Sequence, residues 1–194
     1  MSEKIDLRVI KTKRALKKAM IELMKKQKFE DIKVKHIADE ALVNRATFYY
    51  HFKDKYDLLY KILDDELNNL EKMADDLVTQ EELKTKPMIA ILHMLKYFEK
   101  NSLYYKNAFE TEGYESLSVY LKKRVEELLL LWVERLNLKE DPLVPAKILC
   151  NCYSAAFSYL AMDWLKTENR EPPEQAYHYI KNIIEKGFFA CLKV

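Results

Sequence analysis

"FEDIKVKHIADEALVNRATFYYHFKDKYDLL", residues 29 to 59, decides the fold. Val34, Ile37, Ala38 and Ala41 fall at i, i+3, i+4 and i+7, which predicts a short helix over about residues 34 to 41. "ALV" interrupts the period, and a second short helix runs from Asn44 to about Tyr50. Asn44 suits its N-cap, because the side-chain oxygen can accept a backbone N–H. A longer helix starts after "FKDK", with Leu58, Leu59, Ile62, Leu63, Leu67, Leu70, Ala74 and Leu77 in one stripe. About 24 residues of helix span roughly 36 Å, enough to join a head to a body. Upstream, residues 7 to 27 read as an amphipathic helix with Val9, Leu16, Met20, Leu23 and Met24 on one face.

The whole chain follows the same pattern. With only two glycines, Gly113 and Gly187, in 194 residues, tight turns are scarce and an all-α fold is expected. The same scarcity excludes a Gly-rich phosphate loop or a dinucleotide fingerprint. Further helices are predicted at 87 to 100, 102 to 109, 115 to 137, 142 to 169 and 173 to 192. Pro87, Pro142 and Pro173 stand near helix starts, and Gly113 and "NREPPE" mark breaks. Residues 1 to 60 hold 15 Lys+Arg against 9 Asp+Glu, and the rest hold 18 against 22, so a basic head precedes a mildly acidic body. Such a head attracts phosphate polymers or acidic membranes, unless the imbalance is a fluctuation of surface charge.

Three short helices with a tight turn between the second and third describe a helix-turn-helix unit, whose third helix enters the major groove of DNA. That accounts for "NRATFYYHF" at 44 to 52, which is rich in rings and in polar groups together. Arg45 can donate to guanine or phosphate, and Asn44 and Thr47 can bond base edges or backbone oxygens. Tyr49, Tyr50 and His51 can reach DNA from the flank. Phe48 and Phe52, four apart, are expected to anchor the helix on its own core. Lys53 and Lys55 can bond phosphates with the first amides of the next helix, and Lys33 and Lys35 can do so at the second helix. The competing reading is an aromatic core segment with no ligand.

These residues resemble the N-terminal signature of the tetracycline-repressor (TetR/AcrR) family of bacterial regulators. The likeness runs through Leu16, Ala19, Phe29, Ile37-Ala38, Ala41, Val43, Thr47-Phe48-Tyr49, Phe52, Lys55 and Leu58-Leu59, over about residues 8 to 62. The wording "VNRATFYYHFKDKYDLL" and the stretch around Trp164 resemble a branch common in Gram-positive bacteria. The resemblance implies a DNA-binding domain over 1–53 and an effector-binding and dimerisation domain over 54–194. It implies a homodimer on a palindromic operator, with helices 142–169 and 173–192 forming a four-helix bundle with their copies. A small molecule of unknown identity would bind the body and release the operator. The alternative is an activator controlled by a protein partner. The family usually has glycine where this chain has Lys28 and Leu42, and a hydroxyl residue where it has Lys33. A left-handed backbone at a residue other than glycine costs on the order of 1 kcal/mol, so either the strain is borne or the turn differs.

In the body, rings and two polar groups mark a candidate ligand pocket: His93, Tyr97, Tyr105, Phe109, Tyr120, Arg124, Trp132, Tyr153 and Phe157. A ring-rich core without a cavity would read the same way. Val144 to Leu165 is apolar almost all round, but Lys147, Asn151 and Asp163 interrupt it too often for a membrane span. Its small residues would let a helix approach closely, either at a subunit interface or in an ordinary core. With the last helix, this gives Cys150, Ser154, Ala161, Trp164, Ile180 and Ile184 as candidate dimer contacts. Cys150 and Cys152 would lie about 200° apart on a helix, so they cannot chelate one metal. No metal, cofactor or catalytic constellation is expected, which leaves a helical enzyme with a vestigial head unsupported. The three cysteines and the basic, discontinuous N-terminus predict a reduced, cytoplasmic protein.

Overall fold

The structure, a computed structural model, describes residues 7–77, 89–109, 114–135 and 144–191. The fold is all-α. The described helices are α1 (Leu7–Met24), α2 (Val34–Glu40), α3 (Arg45–His51), α4 (Lys55–Leu77), α5 (Ile89–Lys100), α6 (Ser102–Phe109), α7 (Tyr114–Arg135), α8 (Ala146–Lys166) and α9 (Pro173–Cys191). A 3₁₀ turn, Phe29–Asp31, precedes α2. Packing divides the chain into two units, Met1–Asn69 with Leu103–Glu112, and Leu70–Ser102 with Gly113–Val194. Of the prolines expected near helix starts, Pro173 opens α9, while Pro87 and Pro142 lie outside the described residues.

The first unit buries Leu16, Ala19, Met20 and Met24 of α1 with Phe29, Ile32, Ile37, Ala38, Phe48 and Phe52. Leu58, Leu59, Ile62, Leu63 and Leu67 of α4 are also buried, at the spacing the sequence predicts. α1 stops at Met24, three residues before the predicted end. Lys26 and Gln27 there turn back onto the carbonyl of Leu23, and the Met24 carbonyl accepts from the Asn107 side chain. Asn107 lies on α6, which belongs to this unit although it comes much later in the chain. Tyr104, Tyr105 and Ala108 of α6 are buried, and the Tyr105 hydroxyl donates to Glu66 at 2.8 Å. Lys17 and Asp65 join α1 to α4 at the surface. The packing unit is thus larger than the 1–53 segment, because α4 and α6 also bury side chains in it.

The two positions flagged as glycine-like behave differently. Lys28 is extended at φ −63°, ψ 147°, so it needs no glycine. Leu42 bears a left-handed backbone at φ 56°. Val43 N–H then bonds the Ala38 carbonyl at 2.9 Å, closing the turn between α2 and α3.

In the second unit α7 lies along α8, and α5 packs against both α8 and α9. Leu95 of α5 meets Ala176 and Ile180 of α9, with Ile91, Phe157, Trp164, Tyr177 and Ile184 around them. Glu126 of α7 accepts from Lys122 at 2.9 Å and from Asn151 of α8 at 3.4 Å. These bonds, Lys122 first, hold its carboxyl below the usual range. Between α8 and α9, Asn169 takes φ 54°. The Trp164 indole donates to the Glu171 carbonyl at 2.8 Å, and Arg170 lies over its ring. No described helix is long and apolar enough to cross a membrane.

The residues expected at a dimer face are largely covered within one chain. Cys150, Ser154, Ala161 and Ile180 are already buried within one chain, and Trp164 and Ile184 are half-buried in the Leu95 cluster. The small residues admit a helix, but that helix belongs to the same chain. Burial also pushes the Cys150 thiol up.

Candidate nucleic-acid interface

α3 divides by face. Phe48 is buried and packs against Phe52, the rings tilted with centroids 5.9 Å apart. Asn44, Arg45, Ala46, Tyr49, Tyr50 and Lys53 are exposed, Tyr50 at 80% and Tyr49 at 51%. Two tyrosines left open beside an arginine are unusual on a helix only seven residues long. A helix whose sole purpose was packing would turn its rings inward.

Asn44 caps the helix, its Oδ1 accepting from Thr47 N–H at 2.7 Å and from the Thr47 hydroxyl at 2.9 Å. One carboxamide oxygen therefore holds both the backbone and the neighbouring hydroxyl. Asn44 keeps its NH₂ for a ligand, and Thr47 keeps its methyl and its oxygen lone pairs. The His51 ring meets Tyr50 edge-on at 4.9 Å. Burial, and then the nearby Lys13 of α1, hold its pKa below the ordinary histidine value. Lys13 was missed in the sequence because it lies in a general basic run, and only the fold shows which lysine faces α3.

At α2, Lys33 and Lys35 are exposed. Lysine has no acceptor and cannot cap the helix. Instead His36 Nδ1 accepts from the Lys33 N–H at 3.3 Å, and this is half of a capping box.

Lys55 and the start of α4 depart from expectation. The Lys55 ammonium donates to the carbonyls of Phe29 and Glu30 at 2.8 and 2.9 Å and lies 4.5 Å from the Phe29 ring centroid. It is part-buried, and desolvation lowers its pKa despite Glu30 and Asp31 nearby. A cation bound to two carbonyls ties α4 to the 3₁₀ turn, an internal use for the side chain expected to meet phosphate. The amides beside it are also occupied. Asp54 accepts from Tyr56 and Asp57 N–H groups, and Asp57 accepts from Lys53 N–H. Two carboxylates at this end repel phosphate, leaving the exposed Lys53 side chain as the group there able to meet it.

The ligand-pocket candidates differ in burial and in the unit they belong to. Tyr105 is buried in the first unit and bonded to Glu66. Phe157 fills the Leu95 cluster. His93, Tyr97, Tyr120 and Trp132 are half-buried, and Tyr153 is exposed. Arg124 pairs with Glu127 on its own helix. The side chain of Phe109 lies outside the described residues. Among the described residues no group of three or more His, Cys, Asp and Glu could hold a metal ion.

Two family descriptions match successive parts of the chain. The family description "Bacterial regulatory proteins, tetR family" matches residues 16–62, and "Transcriptional regulator C-terminal region" matches residues 86–186. An uncharacterised HTH-type transcriptional regulator of Bacillus subtilis, YxbF, is 36% identical over 62 residues, 31% of this chain. That match spans only 16% of YxbF. Among solved structures, the dihydroxyacetone kinase operon activator DhaS is 21% identical, with a TM-score of 0.67 over 90% of this chain and 94% of that one. A TetR transcriptional regulator from Streptococcus agalactiae is 23% identical, with a TM-score of 0.65 over 91% and 95%. NalD, the secondary repressor of the MexAB-OprM efflux pump in Pseudomonas aeruginosa, is 19% identical, with a TM-score of 0.66 over 93% and 96%. At these identities the structural matches show the shared fold.

Proposed function

This chain belongs to the TetR family of bacterial transcriptional regulators, a family of DNA-binding proteins and not of enzymes, and from that premise we propose a ligand-responsive repressor. The observation that carries its DNA contact surface is the exposed band of α3, with Arg45, Tyr49 and Tyr50 open while Phe48 holds the helix from behind. Arg45 reads a guanine or a phosphate at the groove. Asn44, Thr47 and His51 work beside it, and Lys33, Lys35 and Lys53 meet phosphates on either side. Residues 1–53 supply these contacts, and the body beyond them takes up a small molecule whose binding lowers operator affinity.

Self-association uses the sides of α8 and α9 that a single chain leaves open. Ile148 and Tyr159 on α8, and Tyr179 and Ile183 on α9, are large apolar residues between 48% and 61% exposed. A dimer of two such heads reads a palindrome, because the symmetry of the protein is matched by that of the site.

Selection of bound duplexes from random DNA tests the proposal. A palindrome with regular half-site spacing is expected, and Arg45→Ala should cost roughly 1–3 kcal/mol and relax the preference at one position per half-site. Unchanged binding in that variant would refute the role of Arg45. The activator reading has its own support, since DhaS is described as an operon activator and NalD as a repressor, on one fold. Transcription from the selected site, with and without the protein, separates the two.

A further inference from the structure

The geometry points to Leu42 as an additional DNA contact, one that reads the apolar edge of a base in the major groove, the C5-methyl of a thymine. Leu42 is 93% exposed, the most exposed of the large hydrophobic residues among those described. It also bears φ 56°, in the left-handed region where a residue with a Cβ is strained. In the free chain the residue therefore gains neither burial nor backbone ease at this position. Glycine or asparagine would fit the turn better on both counts. Strain persisting beside a recognition element is a reason to look for a bound state that uses it.

Its place in the chain supplies that state. Leu42 stands two residues before the cap Asn44 and three before Arg45, so an exposed apolar side chain lies next in the chain to the open residues of α3. The turn bonds fix it there: Leu42 N–H bonds the Asp39 carbonyl at 3.1 Å, and Val43 N–H bonds that of Ala38 at 2.9 Å. A side chain with no donor or acceptor can discriminate bases only by apolar contact, and in the major groove that contact is the thymine methyl. The inference rests on the assignment of α3 as the reading helix.

The test uses the full chain and the duplex selected by the wild type. Leu42→Gly and Leu42→Asn are both at home in a left-handed turn, so neither should lower the urea unfolding midpoint. Each should weaken the selected duplex about tenfold, the order expected for losing partial burial of a leucine, with an unchanged salt slope, since no phosphate contact is lost. Each thymine is then replaced in turn by deoxyuridine, which removes only the methyl group. One position per half-site should weaken the wild type about fourfold, the value of one buried methyl, and leave both variants unaffected. Wild-type affinity in both variants overturns the inference, as does a deoxyuridine profile that they share with the wild type. A lowered unfolding midpoint in both also overturns it, by assigning the residue to the fold. If the wild type selects no duplex at all, the reading-helix assignment fails first, and that result is distinct from the others.

Discussion

Replacing Lys55 with methionine separates two uses of one cation. In the structure its ammonium donates to two carbonyls, Phe29 O at 2.8 Å and Glu30 O at 2.9 Å, and lies 4.5 Å from the centre of the Phe29 ring. Hydrogen bonds from a charged donor are worth about 1.5–3 kcal/mol each. The ring contact adds about 0.5–1 kcal/mol. Two effects offset these. The site is part-buried, so water reaches the carbonyls and recovers a share, and the ammonium no longer suffers the desolvation that lowers its pKa. Methionine also keeps an unbranched apolar stem against Phe29 and Tyr56. A net loss of about 2–3 kcal/mol is expected, which at a slope of about 2 kcal/mol/M lowers the urea midpoint by about 1–1.5 M. The second assay is duplex affinity across a series of salt concentrations. An internal tie predicts an unchanged slope of log K against log salt. A phosphate contact predicts a slope shallower by about 0.9 per bound head, about 1.8 for a dimer, with the urea midpoint unmoved. That pair of results would refute the reasoning.

Further predictions concern single groups. Asn44→Ala should cost about 1 kcal/mol by removing the cap of α3, read as a lower urea midpoint. His51 has a lowered pKa in the free chain, so its contribution to stability is present above the ordinary histidine value and is lost as pH falls through the lowered one. Phosphates would raise that pKa, so binding takes up a proton, and duplex affinity should rise as pH falls from about 7.5 to about 6. In His51→Gln that rise should shrink, and an identical pH profile would count against a DNA contact. Tyr159→Glu should turn a sedimenting dimer into a monomer of native helicity. Ser154→Leu should instead overpack the core at a cost of about 1–3 kcal/mol, and its sedimentation should stay dimeric.

The helices were legible because their periods are strong and their breaks are marked by turn residues. The division of α3 into a buried Phe48 and exposed Tyr49 and Tyr50 is legible from spacing, and the Asn44 cap from the chemistry of its side chain. Lys55 was not legible, because a lysine near a helix start suits phosphate and carbonyl oxygens equally, and only the position of the Phe29 turn decides. The small-residue face of α8 was ambiguous for a related reason. Cys150, Ser154 and Ala161 admit a close neighbour whether or not it belongs to the same chain. Membership of α6 in the first unit depends on contacts across many residues, such as Asn107 to Met24, 83 positions apart. No local pattern encodes such a contact.

That last contact sets a timetable for synthesis. α3 leaves the ribosome some fifty residues ahead of α6, yet the unit that holds it is complete only when Tyr104, Tyr105 and Ala108 arrive. Until then Glu66 of α4 and the last carbonyl of α1 lack the bonds that Tyr105 and Asn107 of α6 supply. The same dependence limits chimeras. A head cut at residue 53 and grafted onto another body leaves behind the leucines of α4 and the tyrosines of α6. A graft that keeps the native core must carry two separate pieces of chain.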